Sequence, residues 1–160
     1  GGLPMKRISL LMLWGFCSMA LSNVTFHGYL VQPPNCTISD GETIELTFQD
    51  VNIDDINGSN YEQIVPYRIT CDTPVRDPLL EMTLSWSGTQ SDFDDAAVST
   101  DIAGLGIRLK QAGQSFKLNT PLVVDERALP ALTAVPVKKS GVDLPEANFE
   151  AWATLQVDYQ

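Results

Sequence analysis

Three cysteines, one histidine and twenty carboxylates are the side chains of this 160-residue sequence whose types could do chemistry. Cys17, Cys36 and Cys71 show no CxxC spacing, and His27 is the only imidazole, so a Cys/His zinc site lacks ligands. No GxSxG, HExxH or P-loop pattern places a nucleophile, a general base or a phosphate cradle. Asp54 and Asp55, and Asp92, Asp94 and Asp95, offer oxygen to calcium. They lack the ligand spacing and closing glutamate of an EF-hand loop, and read as solvated loop carboxylates. Twenty acids always supply some pair at a separation suited to glycoside hydrolysis, so proximity alone argues nothing. The residues predict neither a metal, nor a cofactor, nor an enzyme.

The cysteines take their meaning from what precedes them. Lys6 and Arg7 stand before an apolar run, residues 8–21 (ISLLMLWGFCSMAL), and Ala20 and Ser22 supply small residues at a processing site. This layout predicts a secretory signal peptide ending at Ser22, with cleavage after Ala20 as the alternative. The run is shorter than the roughly 20 residues of a membrane span, and no basic stop-transfer segment follows it. Residues 1–4 precede Met5 and read as an upstream remnant. Cys17 leaves with the leader. Cys36 and Cys71 then form an even pair in an oxidising compartment, where a disulfide is the default. Closing that loop stabilises a fold by about 4 kcal/mol on the chain-entropy account. All twenty acids follow Ser22 and two of the ten basic residues precede it, leaving eight cations against twenty carboxylates, a net of −12. Such a surface repels nucleic acid and anionic lipid, and neither is expected as a partner.

The elements that must carry these residues are short strands. Ile44, Leu46 and Phe48 alternate with polar residues; so do Val65, Tyr67, Ile69 and Cys71, and Leu80, Met82, Leu84 and Trp86. Leu105, Ile107 and Leu109 form another set, and Phe116 with Leu118 a short one. A period of two marks strands with one buried face. Turn-rich stretches separate them, a helical turn is conceivable only near residues 92–97, and ten prolines oppose long helices. The pattern predicts one all-β domain, a sandwich of immunoglobulin-like kind.

Two segments stand apart. Residues 149–159 alternate almost without a break, with Phe149, Ala151, Ala153, Leu155, Val157 and Tyr159 on one face, which is long for a strand. Residues 23–32 carry Val24, Phe26, Gly28 and Leu30 on one face, and Pro33-Pro34 break the ladder before Cys36. A glycine inside such a strand marks close approach to another surface. The segment reads either as an edge strand of its own sandwich or as a strand that completes another.

At this point the sequence resembles the chaperone–usher pilins, nearest the minor tip subunits of P-type and type 1-type pili. The likeness rests on the alternation around Gly28, on Pro33-Pro34-Asn35-Cys36-Thr37-Ile38, on Ile69-Thr70-Cys71, on Gly104-Leu105-Gly106-Ile107-Arg108-Leu109 followed by Thr120-Pro121-Leu122, and on residues 149–159 with their penultimate Tyr159. One departure is Ala147, where many pilins carry glycine.

The resemblance implies an incomplete immunoglobulin-like β-sandwich lacking its seventh strand. Residues 1–22 would be remnant and leader, 23–34 an N-terminal donor-strand extension, and 35–160 the pilin domain. Val24, Phe26, Gly28 and Leu30 would fill the groove of a neighbouring subunit. Phe149, Ala151, Ala153, Leu155, Val157 and Tyr159 would border this chain's own groove, with the carboxylate of Gln160 held by basic residues of a periplasmic chaperone. The implied partners are neighbouring pilus subunits, that chaperone, an outer-membrane usher and a tip adhesin, without a small-molecule substrate. The implied route runs through the periplasm to a cell-surface fimbrium, and the implied role is a minor tip or adaptor subunit contributing to adhesion. A shaft or terminator pilin is the alternative, and a secreted carbohydrate-binding sandwich a more distant one. Trp86 and Trp152 could stack on sugars, but Trp86 continues the apolar face of Leu80–Leu84 and reads as core.

Overall fold

Met82, Leu84 and Trp86 turn inward along one strand, into the sandwich core, while Thr83 and Ser85 turn outward. The computed structural model describes Gly15 and residues 18–160. The hydrophobic run of the leader, including Cys17, lies largely outside the described residues. The chain divides into two units, Gly1–Val31 and Gln32–Gln160. In the first, residues 18–31 form no helix or strand and are exposed throughout.

The second unit is all-β. Its strands are β1 (Cys36–Ile38), β2 (Gln63–Val65), β3 (Ile69–Cys71), β4 (Met82–Gly88), β5 (Ala97–Ser99), β6 (Leu105–Gln111), β7 (Gln114–Ser115), β8 (Leu122–Val124), β9 (Leu132–Lys138) and β10 (Ala153–Tyr159). They form three antiparallel sheets: β1 with β3; β10-β4-β8; and β2-β9-β6-β5, with β7 folded back on β6. Met82, Leu84 and Trp86 of β4 meet Val98 of β5, Ile107 and Leu109 of β6, and Leu132 and Ala134 of β9 in one core. Trp86 is almost fully buried, and its indole N–H donates to the Phe116 carbonyl at 2.7 Å. A buried indole needs such a partner, which fixes Trp86 as core.

Cys36 and Cys71 sit directly opposite each other in the β1–β3 ladder, and their sulfurs are bonded at 2.07 Å. The bond ties the start of the sandwich to the chain 35 residues later.

Several strands differ from the sequence pattern. Val65 to Cys71 is two strands rather than one. Pro66 cannot donate to a ladder, and across it the chain passes from the five-stranded sheet at β2 to the two-stranded sheet at β3. Residues 92–97 form a turn, not a helical one; the Ser91 hydroxyl and Asp94 carboxylate bind backbone amides there and replace the helical bonds. Phe116 and Leu118 are buried but lie on a loop. The pattern also passed over β9, whose Pro136 is fully buried opposite Ile107. A proline is tolerated there because β2 pairs with β9 only from Leu132 to Ala134, leaving that side of β9 without a strand partner at Pro136.

Candidate functional site: an open groove with an apolar floor

Ile44, Leu46 and Phe48 are half-buried while Glu45, Thr47 and Gln49 are exposed, so the strand-like alternation of this segment is real. Its strand partner is missing. From residue 43 to residue 51 no backbone N–H or C=O finds a backbone or side-chain partner among the described residues. The same holds from residue 142 to residue 149, the approach to β10. Unpaired extended backbone is an edge waiting for a strand.

These two segments are the walls of one groove of about 1810 Å³. Its floor is the sandwich core itself, with Val65, Trp86, Val98, Ile107, Leu109 and Ala134 along the bottom. The Phe48 and Phe149 rings, one from each wall, meet with centroids 6.1 Å apart and brace the two sides. Walls of unpaired backbone over a floor of core side chains are the features that strand addition uses elsewhere.

The strand expected over residues 149–159 is shorter than its alternation. Pairing with β4 begins only at Ala153, opposite Gly88, and runs to Tyr159, opposite Met82. Before it, the Glu150 amide and carbonyl bond to Asp101 at 2.8 and 3.1 Å, outside any ladder. Phe149, Ala151, Ala153 and Leu155 line the groove. Val157 and Tyr159 pack on the core beyond its lining. Gln160 exchanges two backbone hydrogen bonds with Glu81, and the Tyr159 hydroxyl clasps the backbone of Asp77, accepting from its N–H at 3.0 Å and donating to its C=O at 2.9 Å. The end of the chain is thereby pinned beside β4. Trp152 faces away from the core and is 72% exposed.

Val24, Phe26 and Leu30 are exposed at 69%, 90% and 98%, and the space a Cβ on Gly28 would enter is empty. These are large apolar side chains in water, presented by a segment with no secondary structure of its own. The opposite wall of the groove, residues 42–54, and the floor residues from β5 and β9 were not singled out by sequence reasoning as site residues. The alternation of Ile44, Leu46 and Phe48 was the available signal; what it lacked was any sign that the partner strand is absent.

Among the described residues no cluster of His, Cys, Asp and Glu is arranged to hold a metal. A second cleft, around Asp92, Asp94 and Arg108, is polar and shallow and holds the Arg108–Asp94 ion pair at 2.7 Å.

A sequence profile of the family described as fimbrial protein matches residues 24–160. The uncharacterized fimbrial-like protein YfcQ of Escherichia coli (strain K12) is 55% identical over 141 residues, covering 86% of this chain and 87% of that protein. The uncharacterized fimbrial-like protein YfcR of the same organism is 33% identical over 135 residues, covering 80% and 75%. Among solved structures, the P pilus rod subunit PapA superposes with a TM-score of 0.59 at 21% identity, over 86% of this chain and 100% of that one. The P pilus adaptor subunit PapF does so with 0.54 at 23% identity, over 81% and 98%.

Proposed function

The chain belongs to the fimbrial protein family, and we propose that within it this chain is a structural subunit joined to its neighbours by exchange of strands. The observation that carries the reading is the groove: core side chains lie at its floor between two walls of unpaired backbone. An immunoglobulin-like sandwich with one strand missing has this form. The occupant in a fibre is the N-terminal segment of the next subunit. This chain's own Val24, Phe26, Gly28 and Leu30 serve the subunit ahead in the same way.

Strand addition supplies affinity through backbone hydrogen bonds and selectivity through alternate side chains. Burying Val24, Phe26 and Leu30 contributes roughly 1.5–3 kcal/mol each. Until it is filled, such a groove is both an apolar patch and an open edge, prone to aggregation. A periplasmic chaperone covers it by strand addition, and an outer-membrane usher is where the next subunit replaces the chaperone.

Within the fibre we assign the chain to the tip as a minor or adaptor subunit, linking an adhesin to the shaft. An open groove favours a subunit that both accepts and donates over a terminator. Two measurements test the assignment. A peptide of residues 23–32 from a neighbouring subunit should displace the chaperone and raise the melting temperature; no displacement and no rise would count against strand exchange. Immunogold labelling of intact fibres should mark the tips, and labelling along the shaft would move the chain to the rod.

A further inference from the structure

The mouth of the groove carries an excess of acid. Glu42, Glu45, Asp50 and Asp54 stand on one wall, and Asp143, Glu146 and Glu150 on the other. All seven are exposed, and none has a cation within 4.0 Å among the described residues. The cause is where the cations are held. Arg68, Arg76, Arg108, Lys110, Lys117, Arg127 and Lys139 each face a carboxylate elsewhere on the sandwich. Lys138 also lines the groove, its ammonium donating to the Ile53 carbonyl at 3.2 Å, so seven carboxylates there face one cation. The segment with donor character shows the opposite bias. Residues 23–39 contain no Asp or Glu, in a chain that carries twenty, and His27 is their one basic residue.

We propose that the groove selects its occupant by charge as well as by apolar alternation. The occupant is an extended strand from another polypeptide, apolar at alternate positions and basic or neutral, never acidic, at the positions between. This rests on the reading of the groove as a strand acceptor. A strand lying in it would sit about 5 Å from each wall, so its outward side chains fall within the roughly 8 Å screening length at physiological salt. A carboxylate placed there meets the rim's repulsion from both sides, and a lysine meets attraction.

The test uses the full chain and three fluorescein-labelled peptides of residues 23–32. One has the parent sequence, one carries Thr25→Lys with Tyr29→Lys, and one carries Thr25→Glu with Tyr29→Glu. The inward Val24, Phe26, Gly28 and Leu30 are the same in all three. Anisotropy titration should rank the basic peptide tightest and the acidic weakest, about tenfold apart near 20 mM salt and within about twofold near 0.5 M. In a chain carrying Glu42→Gln, Glu45→Gln, Glu146→Gln and Glu150→Gln the ranking should collapse, with the melting temperature of the free chain unchanged. Equal affinities at low salt, or a gap that salt does not narrow, would overturn the charge rule and leave strand acceptance standing. Binding by none of the three would overturn this proposal; the acceptor reading falls with it only if a neighbouring subunit's N-terminal peptide also fails to bind.

Discussion

Trp86 shows how one side chain sets the floor of the groove. Its ring lies in the core, its indole N–H satisfies the Phe116 carbonyl, and its edge lines the groove. Trp86→Phe removes the donor and leaves a cavity and an unpaired carbonyl, at a cost of about 1–3 kcal/mol. Urea unfolding should show the loss; an unchanged midpoint would mean that the carbonyl finds another partner. On the surface, the Lys139 ammonium donates to Asp92 at 2.7 Å and holds that carboxyl below its usual value of 3.8. A carboxyl lowered by folding contributes stability that is present above the unfolded value and is lost as pH falls through the folded one. Asp92→Asn should therefore unfold slightly earlier than the parent at neutral pH and converge with it in acid below 3.8. Parallel curves across that range would show that the pair contributes nothing.

At the scale of elements, the start of β10 depends on a close approach. A Cβ on Gly88 would stand 2.8 Å from the Val98 side chain and 3.0 Å from the Trp152 carbonyl, where pairing with Ala153 begins. Gly88→Ala forces the wall away from β4 and should cost about 1–3 kcal/mol. Amide exchange is expected to quicken first at residues 153–155; uniform protection would place the strain elsewhere. Breaking the β1–β3 staple with Cys36→Ser and Cys71→Ser should remove about 2–5 kcal/mol, read as a fall in melting temperature that matches the effect of reducing agent on the parent. Period-two alternation located β4 and β6, because their burial follows the pleat. It overran at Val65 to Cys71 and before Ala153, since alternation reports which face is buried and not whether a partner strand is present. It missed β9 because Leu132, Ala134, Val135, Pro136 and Val137 are all buried, which leaves no polar phase to detect.

For the molecule as a whole, the proposed function turns on a sandwich left open and an apolar segment left in water. Gly28→Leu is expected to leave the melting temperature of the chain unaltered, because the space around Gly28 is empty. It should still abolish incorporation into fibres, scored by electron microscopy, by blocking the close fit that a groove demands of its strand. Normal fibres from that variant would show that residues 23–32 are not the donor. By itself the sequence determined the all-β class, the disulfide pair and the alternating segments 23–32 and 149–159, because pleating follows local residue order and an even cysteine pair behind a leader pairs by default. Only the tertiary structure decided that residues 43–51 and 142–149 face each other with no strand between them. It also decided that seven carboxylates gather at that opening without an ion-pair partner within 4.0 Å among the described residues. A missing partner and a shared rim are relations between segments about a hundred residues apart, and no local pattern encodes them.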